Sequence, residues 1–145
     1  MIGLIQRVSR ACVSTRGQPL GEIGRGTLAL IGVRRGDDQA AADRLLERLL
    51  AYRIFADGAG RMNLSLRQIG GGLLLVPQFT LAADTHKGTR AGFSAAAAPA
   101  DAQGIFAHLV ARAASVHSPV AAGEFGADMQ VELVNDGPVT FWLEG

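Results

Sequence analysis

Along the opening stretch MIGLIQRVSRACVSTRG, apolar and polar positions alternate loosely. Ile2, Leu4 and Val8 fall on one side, and Ile5, Arg7 and Ser9 on the other. That period predicts one long bent strand, or two strands that meet near Ser9 and Arg10. TLALIGV, Thr27–Val33, is a continuous apolar run with β-branched residues between Gly26 and Gly36, and it reads as a central strand. Ala42, Leu45, Leu46, Leu49 and Leu50 then recur at the spacing of a helix face, with Asp37 or Asp38 placed to cap its start. FADGAGRMNLSL carries turn chemistry at Asp57–Gly60 between two extended pieces, which predicts a hairpin.

Gly70–Gly72 lead into an apolar strand, Leu73–Val76. The glycines precede a strand and lack the Lys-Ser/Thr ending of a phosphate loop, so they read as a flexible connection. A second helical stripe follows: Ala102, Ile105, Phe106, Leu109, Val110 and Ala113, with Pro99 suited to its first turn and Pro119 beyond its end. Two last strands, around Met129–Val134 and Val139–Leu143, flank NDGP, whose local chemistry is that of a hairpin turn. Strands in excess with two amphipathic helices give the α+β class rather than alternating βαβ units. No repeat and no linker divides the chain, so a single domain over residues 1–145 is expected.

Composition narrows the function classes. The chain is 48% hydrophobic and 19% charged, with a formal net charge of +1. Nothing in that balance suggests a nucleic-acid sheath or a polybasic membrane surface, so any RNA contact has to be local. The apolar runs are too short for a membrane span, and no signal-peptide pattern opens the chain. Its single cysteine, Cys12, precludes an internal disulfide, and a reducing, cytoplasmic setting is expected.

Candidate chemistry is sparse. His86, His108 and His117 are scattered and form no metal-binding spacing, so neither metal nor cofactor is expected. Cys12 reads as a small strand residue. No G-x-S-x-G elbow is present. Arg34–Arg35 and the pair Lys87 and Arg90 are small basic clusters whose default is a solvated surface. The second directly follows LLLVPQFTL, which makes phosphate contact there plausible. In that stretch Gln78 and Thr80 flank Phe79 just after a proline, and polar residues at a strand end are usually solvated or bonded to backbone.

Taken in order, IQRVSRACV, YRIFADGAGRMNLS, PQFTLAAD and FGADMQVELVNDGPVTFWL resemble bacterial D-aminoacyl-tRNA deacylase, and the likeness runs from Met1 to Leu143. The resemblance implies a barrel-like, mostly antiparallel β core with the two helices. It also implies a homodimer with active sites at the subunit interface. The activity implied is hydrolysis of the ester joining a D-amino acid, or mischarged glycine, to the terminal adenosine of tRNA. No cofactor, membrane or further protein partner is implied. Gln78, Phe79 and Thr80 would lie beside the scissile ester, and Phe125 and Met129 would line the adenosine pocket. Gly137 and Pro138 would form a cis pair entering the partner subunit's site, with carbonyls facing the substrate amino group.

Thr80 has no base next to it in sequence, and a threonine nucleophile needs one. The expected arrangement is therefore an oxyanion hole of Phe79 and Thr80 backbone N–H groups, with Gln78 and Thr80 positioning. Attack would come from water or with help from the adenosine 2′-OH. Pro77 departs from the family pattern, which usually has serine there, and it removes a hydroxyl and a backbone donor. Two readings from other classes stay open: a non-catalytic module that binds nucleic-acid 3′ ends, and a general acyl esterase.

Overall fold

The computed structural model describes all residues from Met1 to Gly145. Its spine is β1 (Ile2–Thr15), a single strand rather than two. Buried positions change parity between Val8 and Ala11, where the pairing with the last strand, β8 (Gln130–Glu144), slips register. A slip of one residue turns the following side chains to the other face, which is how one strand serves two cores.

β8 runs antiparallel along one edge of β1. The other edge is shared by β3 (Gly26–Gly32), opposite Ile2–Val8, and β2 (Gln18–Ile23), opposite Ala11–Thr15. β3 then pairs in parallel with β6 (Gly72–Pro77), and β6 in parallel with β7 (Val120–Ala122). β7 comes round to β2 so closely that a Cβ on Gly21 would lie 2.9 Å from that of Ala121. The sheet is therefore mixed and nearly closed, a barrel-like wall with antiparallel pairs in the majority.

β3 and β6 have apolar residues on both faces, which explains their unbroken hydrophobic runs. Leu28, Leu74 and Val76 face the barrel interior with Val8, Ala11, Val13 and Ile23. Ala29, Ile31, Leu73 and Leu75 face the two long helices. These are α1 (Gln39–Ala51) and α3 (Pro99–Val116). α1 buries Leu45, Leu46, Leu49 and Leu50, each contributing roughly 2 kcal/mol of apolar burial. Its cap is Asp38, whose carboxylate accepts the Ala41 N–H at 2.8 Å. Asp37 instead receives the Met1 amino group and the Arg34 N–H, both at 2.7 Å. No helix is long and apolar enough to cross a membrane.

The hairpin is present as β4 (Arg53–Ala56) and β5 (Met62–Ser65). Asp57 closes it by accepting the N–H groups of Ala59 and Arg61, and those bonds hold its carboxyl below the usual range. A short helix, α2 (Leu66–Ile69), follows with a reciprocal Ser65–Gln68 capping box. Neither α2 nor β2 or β7 is part of the expected set of elements.

Two local expectations are corrected. Gly70–Gly72 are not a flexible connection. Gly70 ends α2 in the left-handed region, and Gly71 and Gly72 are buried where a Cβ would meet Leu66, Ile69 and Ile23 within 3 Å. Nor is NDGP a hairpin turn. Val134 pairs with Arg10, Asn135 with Val8 and Thr140 with Gln6, so β8 continues in one direction through the motif. Asp136–Val139 stand out from the ladder as a bulge, because the long edge of β1 captures the chain on both sides of it.

Two of the three histidines serve packing. The His117 ring Nε2–H donates to the Gly71 carbonyl at 2.7 Å, and His108 meets Asp43 at 2.9 Å to link α3 to α1.

Candidate active site

β6 ends at Pro77, and the register shows what the proline changes. The Gln78 N–H donates to the Ile31 carbonyl at 2.7 Å, on the β3 side. Alternation turns position 77 to the other edge, where β7 pairs only as far as Leu75. The missing proline N–H therefore costs no ladder bond. Instead Pro77 packs near Gly123, where its Cδ lies 3.3 Å from a Cβ built on that glycine.

Immediately after, Phe79–Ala82 form one 3-10 turn. Its hydrogen bonding begins at Leu81, whose N–H donates to the Gln78 carbonyl at 3.2 Å. The first two amides of such a turn, here those of Phe79 and Thr80, have no acceptor within it, and no side chain caps it. The Gln78 side-chain amide donates to the Thr80 hydroxyl, which fixes the direction of both groups. Phe79 is 58% exposed and stacks on Phe93 at 5.1 Å between ring centroids.

Beside this turn lies a pocket of about 420 Å³. β3 and β6 supply Ile31 and Val76, Val33 follows directly after β3, and the first half of α3 supplies Ala102 and Phe106. The loop Phe125–Met129 completes the lining. Phe125 packs on Phe106 at 6.5 Å, and the Met129 sulfur accepts the Glu124 N–H at 3.4 Å, so the loop folds back on itself. The volume is within the range of small-ligand sites.

Gln78 is the one polar side chain in the lining; no acid, base, thiol or hydroxyl reaches it. The groups whose acidity is shifted lie elsewhere. Asp57 is in the hairpin, and Asp84 is lowered chiefly by the His86 N–H. Glu144 is lowered chiefly by the Trp142 indole, with Arg34 adding to it. Such a pocket can bind a flat apolar ring, orient a polar group through Gln78 and offer backbone amides at its rim. It has no side-chain nucleophile.

The structure thus brings Gln78, Phe79, Phe125 and Met129 into one pocket across some fifty residues of sequence. Thr80 is exposed outside the lining and reaches it through Gln78. Gly137 and Pro138 are not part of this pocket. They are exposed on the β8 bulge, joined by a cis peptide bond.

Two residues that sequence reasoning did not single out hold that bulge. Arg7 donates from Nε to the Asp136 carbonyl and from Nη1 to the Ile54 carbonyl, both at 2.7 Å. The Asn135 side chain accepts the Val139 N–H at 2.7 Å and donates to the Thr140 hydroxyl at 3.0 Å. No sequence signal marks the first, because β1 also carries Gln6, Ser9 and Arg10; only the fold shows that the Arg7 side chain is 16% exposed.

β8 also leaves its outer edge unpaired, and Val134, Phe141 and Trp142 are large apolar residues exposed along it. A long apolar edge of this kind is normally covered.

Comparison with known proteins bears on the whole chain. The family model of D-Tyr-tRNA(Tyr) deacylase matches residues 4–144. A D-aminoacyl-tRNA deacylase of Thioalkalivibrio sulfidiphilus is 67% identical, covering 99% of this chain and 97% of its own. One from Alkalilimnicola ehrlichii is 63% identical, covering 99% and 96%. Among solved structures, the c-Myc DNA Unwinding Element Binding Protein superposes with a TM-score of 0.94 at 34% identity, covering 100% of this chain and 99% of that one.

Proposed function

The chain belongs to the D-Tyr-tRNA(Tyr) deacylase family, and we propose that its reaction takes place at the rim of the Gln78–Phe79 pocket. The protein is an enzyme that hydrolyses the ester of D-aminoacyl-tRNA. The observation that carries the siting is the lining itself: apolar, with one amide side chain, beside the uncapped turn that begins at Phe79.

In this reading the terminal adenosine lies against Phe125 and Met129, and its ester carbonyl meets the N–H groups of Phe79 and Thr80. Water, assisted by the adenosine 2′-OH, attacks the carbonyl carbon. The amides stabilise the oxyanion, the bond to the ribose 3′-oxygen breaks, and that oxygen takes up a proton. D-amino acid and tRNA with a free 3′-OH are released. Preorganised amides at an oxyanion are typically worth about 3 kcal/mol each, enough to make side-chain nucleophiles unnecessary.

Stereochemistry follows from a backbone wall. In a homodimer, Gly137 and Pro138 of each subunit enter the other's pocket, where their carbonyls hold the substrate amino group. With the amino group and ester fixed, an L side chain points into that wall, while a D side chain points outward. Glycine has nothing to exclude, so glycyl-tRNA is also cleaved. Exposure of the bulge and the uncovered apolar edge of β8 support the dimer. The lone Cys12 fits a cytoplasmic enzyme.

The deciding experiment compares D-Tyr-tRNA, Gly-tRNA and L-Tyr-tRNA as substrates. Rapid release from the first two and none from the third is the expected result; equal release from D and L would remove the wall. Binding without hydrolysis of any of them would favour the alternative of a non-catalytic module.

Thr80→Ala discriminates the roles at the rim. Loss of one neutral hydrogen bond to Gln78 costs about 1 kcal/mol, so turnover is expected to fall by about fivefold. Complete loss of turnover with normal substrate binding would make Thr80 the nucleophile.

A further inference from the structure

Two segments of the pocket rim carry opposite charge. In one, the turn at Phe79 runs into a loop closed by a pair of backbone bonds between Asp84 and Gly92, at 2.7 and 2.9 Å. Phe93, just after the loop, stacks on Phe79 and so ties the loop to the pocket rim. Lys87 and Arg90 stand exposed on it, and neither takes part in an ion pair. The loop's one acid, Asp84, is spent on His86, accepting its N–H at 3.0 Å and its ring nitrogen at 2.8 Å. On the rim segment that follows β7, the pocket residues Phe125–Ala127 are bracketed by two exposed acids, Glu124 and Asp128, also without ion-pair partners.

A polynucleotide whose last nucleoside occupies the pocket must leave across the rim, with a negative phosphate at every step. Screening at physiological salt confines each charge's influence to about 8–10 Å, so the charges of each rim segment act locally even though the net charge is near zero. Glu124 and Asp128 repel the strand, while Lys87 and Arg90 attract it.

We propose that the Asp84–Gly92 loop grips the sugar–phosphate chain behind the terminal adenosine of tRNA, with Lys87 and Arg90 each neutralising a phosphate. The inference rests on the pocket being the adenosine site. The contact carries no sequence information, so it serves every tRNA alike and fixes the direction from which the acceptor strand enters.

The test uses the Lys87→Ala/Arg90→Ala double variant with two substrates, D-Tyr-tRNA and the 3′ ester of D-tyrosine with adenosine, which has no phosphate. On D-Tyr-tRNA, KM is expected to rise at least tenfold with kcat within twofold. The slope of log affinity for uncharged tRNA against log salt is expected to become shallower by about 1.4, the value for two single-strand phosphates. On the short ester, kcat/KM is expected to stay within twofold. The charge-preserving Lys87→Arg/Arg90→Lys variant should keep the wild-type slope.

An unchanged salt slope and KM overturn the proposal. So does an equal loss on both substrates, which would mean that the loop only shapes the rim through Phe93 and Phe79. If Ala127→Trp, which fills the pocket, leaves hydrolysis of the short ester intact, the pocket reading fails on its own, while the salt slope still judges the loop.

Discussion

Gly137→Ala and Ala127→Trp chains are each expected to lose at least about a hundredfold in turnover of D-Tyr-tRNA, and an equal mixture reassembled from the two should recover about a quarter of wild-type activity. The reason lies in where the two positions sit. Ala127 lines the pocket, so an indole there occupies the space of the bound nucleoside. Gly137 is on the β8 bulge at φ +153°, and an added Cβ would lie 2.7 Å from Val139 Cγ2, 2.9 Å from the Val139 nitrogen and 3.2 Å from Arg7 Nη2. The Val139 nitrogen is backbone, and it cannot withdraw without moving the bulge off Asn135, which accepts its N–H, so the carbonyls that face the substrate are misplaced. A displacement near 1 Å at a reacting centre is enough to cost about a hundredfold.

In a dimer with shared sites, a mixed pair unites the intact pocket of one chain with the intact bulge of the other. One of its two sites is then wholly wild type. Random pairing makes about half the dimers mixed, hence about a quarter of the activity. No recovery, with mixed dimers shown to form by mass, would mean that each chain builds its site alone.

The largest loss of stability is expected at Gly26→Ala. β3 and β6 run parallel at the centre of the sheet, and Gly26 pairs with Gly72. A Cβ at Gly26 would sit 2.0 Å from the Gly72 carbonyl oxygen and 2.7 Å from its carbonyl carbon and nitrogen. These are backbone atoms, and Gly72 is further fixed by donating its N–H to the Arg25 carbonyl at 3.0 Å. Nothing at the clash can rotate away, so the two central strands must separate locally.

A forced shift of this kind in a packed core costs about 3 kcal/mol, which for a chain of this length lowers the melting temperature by about 9 °C or leaves the protein insoluble. Gly24→Ala, two residues away with open space around its Cβ, is the control and should change the melting temperature by less than about 2 °C. Equal melting temperatures for both variants would show that β3 and β6 are not in this register.

How far the residues themselves foretold the molecule depends on the range of the forces involved. The α1 and α3 stripes were legible because a helix repeats its buried face within the segment itself, and the Asp57 hairpin because its turn is closed by its own neighbours. β2 was not, since QPLGEI carries five exposed or half-exposed residues and is a strand only because Ala11–Thr15 of β1 pairs with it. NDGP shows the same limit from the other direction. Its local chemistry is that of a reversing turn, yet the β1 edge pairs with the chain before and after it.

The site divides along the same line. Its residues were singled out through the order of several motifs, and that resemblance led to the family to which the chain belongs. The amino-acid sequence by itself determined the two helices, the central apolar strands, the absence of a cysteine pair and the family. Only the tertiary structure decided that Pro77 costs no ladder bond, that Gln78 is the one polar side chain in an otherwise apolar pocket, and that Arg7 and Asn135 hold the Gly137 bulge. Those are facts about partners distant in the chain. Periodicity and turn chemistry act between neighbours, whereas strand register and the walls of a pocket are set by which faces remain to be buried once the whole sheet has curled.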